Sequence, residues 1–284
     1  MAAKRSTLAI CFLLARASGF SQDTAVEYAK LAAAAYCSTT SLENWSCGSK
    51  CSADVQAVQV CQGSTTKGFV GLWNGECLVS FEGTSGLSAW ITDLQIWKSA
   101  TNWPVCNNCK VHSGFLKEWE SMSSCIESSL TTIGCGPGSS LKVTGHSLGA
   151  ALSGIAMMAM HHDGWTIKEG YNFGMPRSGD SNFTQAFDSL FGDRFYRVTH
   201  HRDPVVQLPP DALIVDWHFD HVEPEVFYDG DISGGYVSCS VSDDKKCSEQ
   251  YWDVAVDLLH VKDHLDYMGV NTDGDGCDDG ILIV

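Results

Sequence analysis

Two hydrophobic rhythms run along the chain. Short apolar runs bounded by Gly, Asn, Asp or Lys read as strands: "GFVGLW" over 68–73, "CLVSFEG" over 77–83, "LKVTG" over 141–145, "YNFG" over 171–174 and "FYRVTH" over 195–200. Longer stretches of helix formers with apolar residues on one face predict helices over 24–36, 112–130, 148–161 and 253–268. Strands that alternate with helices imply an α/β fold, with a mostly parallel central sheet and helices on both faces. No internal repeat interrupts this order, and no Pro-rich or Gly/Ser-rich linker divides it. A chain of 284 residues, 44% of them hydrophobic, can bury a sizeable core as a single domain.

The first residues change that picture. Lys4 and Arg5 precede an apolar stretch over 8–15, and small residues follow around Ala17 and Gly19, which is the order of a secretory signal peptide. Residues 1–19 are therefore expected to be removed, leaving 20–284 as the domain. The apolar stretch is far shorter than the ~20 residues a membrane span needs. Thirteen cysteines suit a secreted chain; losing Cys11 leaves an even number and room for up to six disulfides. The pair Cys106-x-x-Cys109 reads as a short local disulfide rather than half a zinc site, because Cys125 has no close partner to complete the set. Two sequons, at Asn44 and Asn182, permit glycosylation on the same route. The formal charge of −16 disfavours nucleic acid and anionic membrane as partners, so any lipid surface must be met by apolar contact or neutral head groups.

One polar residue stands where strand should pass into helix. In Gly145-His146-Ser147-Leu148-Gly149, the flanking glycines allow a sharp strand-to-helix turn that forces the serine onto its tip. The hydroxyl then meets the positive end of the following helix, and the Leu148 N–H can donate to a developing oxyanion. Ala150, Ala151 and Gly154 would let that helix pack closely on the sheet. A serine nucleophile needs a base and an orienting acid, and on the α/β-hydrolase plan these follow in the order serine, acid, histidine. Asp203 stands just after the strand over 195–200 and begins "DPVVQLPP", where Pro204 stops the strand at the sheet's C-terminal edge. For the base, His218, His221, His260 and His264 remain. His264, late in the chain and outside a strand, suits a group reaching back to the serine, while His260 lies one turn earlier.

Beyond "GHSLGA", the chain shows "VSFEGT", "WITDL", "VHSGF", "YNFGMPRSGD", "VTHHRDPVVQLPP", "HVEPEVFY" and "DHLDYMG" in order. With these motifs it resembles the fungal-type (class 3) lipases, the triacylglycerol lipase and feruloyl esterase group, over about 24–270. The resemblance implies an α/β-hydrolase fold stapled by disulfides, Ser147 as nucleophile, Asp203 as acid and His264 as base. It also implies Thr84 as an oxyanion donor beside Leu148, and His221 in a structural motif. Glu82 departs from the family's usual arginine. The segment 85–95, "SGLSAWITDLQ", corresponds to a lid, with Leu87, Trp90, Ile91 and Leu94 on one face. Val205, Val206 and Leu208 are candidates for an acyl groove or for the core. The resemblance further implies a bridge between the chain's ends, Cys37 to Cys277.

"NTDGDGCDDG" opens like a calcium loop at Asn271, Asp273, Asp275 and Gly276, but Leu282 occupies the position of the closing glutamate, so no metal is expected. These residues together predict a secreted serine carboxylester hydrolase that needs no cofactor and acts on acylglycerol esters, with substrate met at a lipid–water interface. A feruloyl or short-chain carboxylesterase would share the machinery. A non-catalytic secreted lipid-binding protein is the reading of another class.

Overall fold

The computed structural model describes residues 19–51, 55–94, 96–209, 218–254 and 258–277. Residues 1–18 of the expected signal peptide (1–19), Gln95 of the lid segment and Leu282 of the tail lie outside them. In chain order the elements are α1 (Gln22–Ala34), α2 (Thr39–Glu43), β1 (Val55–Gln62), β2 (Lys67–Trp73), β3 (Glu76–Phe81), α3 (Leu87–Asp93), β4 (Lys98–Ala100) and β5 (Lys110–His112). There follow α4 (Ser113–Thr132), β6 (Ser140–His146), α5 (Leu148–His162), β7 (Thr166–Phe173), α6 (Ser181–Phe191), β8 (Phe195–His200), β9 (Glu225–Tyr228), β10 (Val237–Cys239) and α7 (Val261–His264).

Eight strands form the central sheet in the order β1-β2-β3-β6-β7-β8-β9-β10. From β3 to β9 every neighbour is parallel; β1, β2 and β3 pair antiparallel at one edge, and β10 pairs antiparallel with β9 at the other. Successive strand residues face opposite sides. Phe81, Val143 and Phe195 pack with α4, α5 and α6, whereas Phe69, Tyr171 and Val198 pack with α1. Helix α5 is buried from Leu148 to Met160, which its Gly- and Ala-rich surface permits: a Cβ at Gly154 would run 2.8 Å from the Met175 Cε atom. Helix α4 begins where the His112 ring accepts the N–H groups of Gly114 (3.2 Å) and Phe115 (3.3 Å).

The helix expected over 253–268 is not there as one element. Residues 248–254 and 258–260 form 3₁₀ turns, α7 is a single turn, and Asp266–Tyr267 leads into Met268 and Gly269, with φ of 58° and 70°. Two consecutive left-handed residues reverse the chain and end any helix. Helix α6 and strands β1, β9 and β10 had no sequence expectation.

All twelve cysteines from Cys37 onward are paired: 37–277, 47–51, 61–125, 77–135, 106–109 and 239–247. The bridge between the chain's two ends and the local bridge at Cys106–Cys109 are both present. No described helix is long and apolar enough to cross a membrane.

Candidate active site

Strand β6 delivers Ser147 to the C-terminal edge of the sheet. Its backbone is left-handed, φ 60° and ψ −128°, a conformation costly for a residue with a side chain. The surroundings hold it: the Ser147 N–H donates to the Phe173 carbonyl at 2.9 Å, and its own carbonyl accepts from Ala150 (3.0 Å) and Ala151 (3.3 Å). The two motif glycines are needed for closeness. A Cβ at Gly145 would run into the backbone of Gly149 and Ala150, and one at Gly149 into the carbonyls of Phe81 and Glu82.

Asp203 follows β8, and His264 ends α7. Their side chains meet, His264 Nδ1 lying 2.8 Å from Asp203 Oδ2, and both are buried. The same Oδ2 accepts from the Tyr267 hydroxyl at 2.5 Å, while Oδ1 accepts from the Val205 N–H at 2.7 Å. Burial and the adjacent Asp203 charge push the Tyr267 phenol far above its usual range, so it remains a donor. Gly174 completes the fit: a Cβ there would lie 2.8 Å from His264 Cε1 and 3.0 Å from Asp203 Oδ2. With Nδ1 held by the carboxylate, His264 Nε2 is the ring nitrogen left without a partner. Ser147 Oγ and His264 Nε2 are each buried without a hydrogen-bond partner, the two vacancies a nucleophile and its base would fill for each other as substrate seats.

A second set of bonds places the main chain of His264. His146 Nε2 lies 2.8 Å from the His264 carbonyl and must donate to it, so Nδ1 accepts from the Tyr36 hydroxyl, also at 2.8 Å. Burial, then the neighbouring His264, hold the His146 imidazole well below its ordinary pKa, which keeps it neutral for this role. Asp263 locks α7 to the loop that carries the acid. Its Oδ2 lies 3.0 Å from His201 Nδ1 and accepts from Arg202 N at 3.3 Å, and its carbonyl lies 3.0 Å from His200 Nδ1.

Leu148 is the first residue of α5, so its N–H has no intrahelical acceptor. Thr84 stands after β3, half-buried, its Oγ1 accepting from Gly86 N at 3.3 Å. Glu82 is paired with Lys67 at 2.9 Å and meets the Thr66 hydroxyl. Over this region α3 covers Leu87–Asp93, with Trp90 and Leu94 packed on the core and Trp90 stacked on Phe115 at 6.2 Å. Ser88 and Asp93 are exposed. Val205, Val206 and Leu208 are buried in the turn after the acid. His221 lies apart from the serine: its Nε2 bonds to the Val206 carbonyl at 2.8 Å and so braces that turn. The Asp273 carbonyl in the tail loop accepts from Lys50, and among the described residues no group of His, Cys, Asp or Glu is arranged to hold a metal ion.

Tyr36, His146, Asp263 and Tyr267 carried no sequence expectation as site residues. Three of them are marked only by adjacency: His146 precedes Ser147, Asp263 precedes His264, and Tyr267 lies three residues after it. Tyr36 has no local signal, because its contact spans 110 positions of sequence.

A parallel sheet with a serine elbow at its C-terminal edge and a buried His–Asp pair beside it defines the α/β-hydrolase fold. Residues 78–213 match the lipase (class 3) family. A secreted mono- and diacylglycerol lipase of Fusarium solani is 33% identical over 156 residues, covering 55% of this chain and 44% of that protein. A lipase of Rhizomucor miehei is 30% identical over 201 residues, 68% of this chain and 52% of that one. Among solved structures, lipase II from Rhizopus niveus superimposes with a TM-score of 0.71 at 26% identity, covering 90% of this chain and 96% of that one. The chain belongs to the class 3 lipase family, and it spans about half the length of the relatives it matches in sequence.

Proposed function

We propose that this chain is a secreted serine carboxylester hydrolase, a lipase that cleaves acylglycerol esters through an acyl-enzyme at Ser147. The observation that carries the reading is the pair of orphaned atoms, Ser147 Oγ and His264 Nε2, buried at the end of an imidazole anchored by Asp203. His264 takes the Ser147 proton as Oγ attacks the ester carbonyl carbon. The carbonyl oxygen becomes an oxyanion held by the N–H groups of Leu148 and Thr84, each such donor contributing about 3 to 4 kcal/mol in the transition state. As the carbon–oxygen bond to the alcohol breaks, His264 passes that proton to the leaving oxygen. Water, deprotonated by the same nitrogen, then attacks the acyl-enzyme and releases the acid. Asp203 fixes the tautomer and balances the imidazolium.

Glycerides as substrate are supported by the relatives of Fusarium and Penicillium, named as secreted mono- and diacylglycerol lipases. Their names, together with the six disulfides, also support an extracellular site of action. Helix α3 acts as the lid, swinging Trp90 and Leu94 from the core toward an oil surface, with Val205, Val206 and Leu208 then bordering the acyl chain. Hydrolysis of emulsified diacylglycerol, compared with feruloyl esters, tests the assignment. Activity on the emulsion is expected; activity on the feruloyl ester alone would assign an esterase instead.

A further inference from the structure

A groove of about 290 Å³ opens beside His264. Leu87 and Leu265 give it apolar walls, and Glu82, Asp273 and Asp275 line it with carboxylates. His264, whose buried Nε2 has no partner, and Thr84 stand in the same wall. An imidazole that takes the serine proton must return it to the alcohol oxygen of the ester, so the space against that ring is where the alcohol half lies.

Resting on the hydrolase reading above, we propose that this groove binds the alcohol half of the ester and that Glu82, Asp273 and Asp275 make it select alcohols without negative charge. Glycerol and its uncharged esters fit; an alcohol bearing a phosphate group is repelled. Two ammonium groups stand behind these acids. Lys67 pairs with Glu82 at 2.9 Å, and Lys50 donates to the Asp273 carbonyl while buried. Neither lies in the groove wall, and three carboxylates against two ammonium groups leave the lining negative. The chain's formal charge of −16 deepens the same field.

The test compares two dissolved esters that differ only by one phosphate, 1-octanoylglycerol and 1-octanoylglycerol-3-phosphate, by the ratio of their kcat/KM values. Wild type is expected to prefer the neutral ester. Asp273→Asn and Asp275→Asn should each narrow the ratio by about threefold, the effect of two unit charges ~6 Å apart in a solvent-like dielectric. Raising salt on unmodified protein should narrow it too, a control that needs no variant to fold. A ratio unmoved by salt and by both variants, with both esters still cleaved, overturns the groove's role and leaves the hydrolase reading intact. Failure of wild type to cleave either ester, without labelling of Ser147 by a fluorophosphonate, overturns both.

Discussion

Three named donors hold the two oxygens of Asp203, and that support has measurable consequences. Tyr267→Phe removes one charge-assisted bond and leaves a buried carboxylate short of a donor, so it should lower stability by about 1.5 to 3 kcal/mol. Denaturant unfolding would measure this, and a loss below a few tenths would show that the bond contributes nothing net. Asp263→Ala should lower kcat with little change in KM, because it frees α7 from the acid-bearing loop without touching the substrate. Asp263→Asn keeps an acceptor for Arg202 N and should recover part of the rate. Among these residues turn glycines mark Ser147 and a strand-stopping proline marks Asp203, whereas chain order left four histidines and only the resemblance to the class 3 lipases singled out His264. It could not nominate Tyr36, whose partner at His146 becomes a neighbour only when α1 packs across β6.

Among the elements, the strand-turn-helix at Ser147 is the most tightly specified. Gly149→Ala would drive a methyl group into the carbonyls after β3, and it should abolish soluble folded protein or cost several kcal/mol, read by circular dichroism and thermal melting. Helix α3 is held more loosely, by half-buried side chains. Trp90→Ala should therefore raise activity on dissolved short-chain esters and shrink the increase seen on adding an emulsion; an unchanged ratio would remove Trp90 from the lid. Apolar periodicity was enough to foresee α1, α4, α5 and the central strands, since each buries a continuous face. It overran at 253–268, where the described residues form short 3₁₀ turns and the single turn of α7, which ends at His264. Helix α6 was missed although Asp180 caps it, accepting from Phe183 N at 3.0 Å; its apolar positions, Phe183, Phe187 and Phe191, lie between Gly- and Asp-rich segments that read as loop.

Across the whole molecule, one disulfide ties together segments far apart in the chain. Cys37–Cys277 joins the segment after α1 to the segment after His264, a loop of 240 residues. Replacing both cysteines by serine should cost about 2 to 5 kcal/mol by releasing the unfolded chain, and it should lower activity by loosening the Tyr36–His146 contact beside it. The buried histidines add a pH signature. His146 is held neutral when folded, while in the unfolded chain it takes up a proton near pH 6.5, so the stability it contributes is present above that pH and is lost as pH falls below it. His146→Gln should make the decline of stability with acid shallower than in wild type, by up to ~1.4 kcal/mol per pH unit; parallel curves would mean that His146 is charged in the fold.

The proposed nucleophilic reactivity of Ser147 depends on His264. Its most direct test is mass spectrometry of folded protein after exposure to a fluorophosphonate ester. A single phosphonyl adduct on the peptide bearing Ser147 is expected, absent in Ser147→Ala and slowed at least a thousandfold in His264→Ala. Labelling elsewhere, no labelling, or labelling that does not depend on His264 would contradict it.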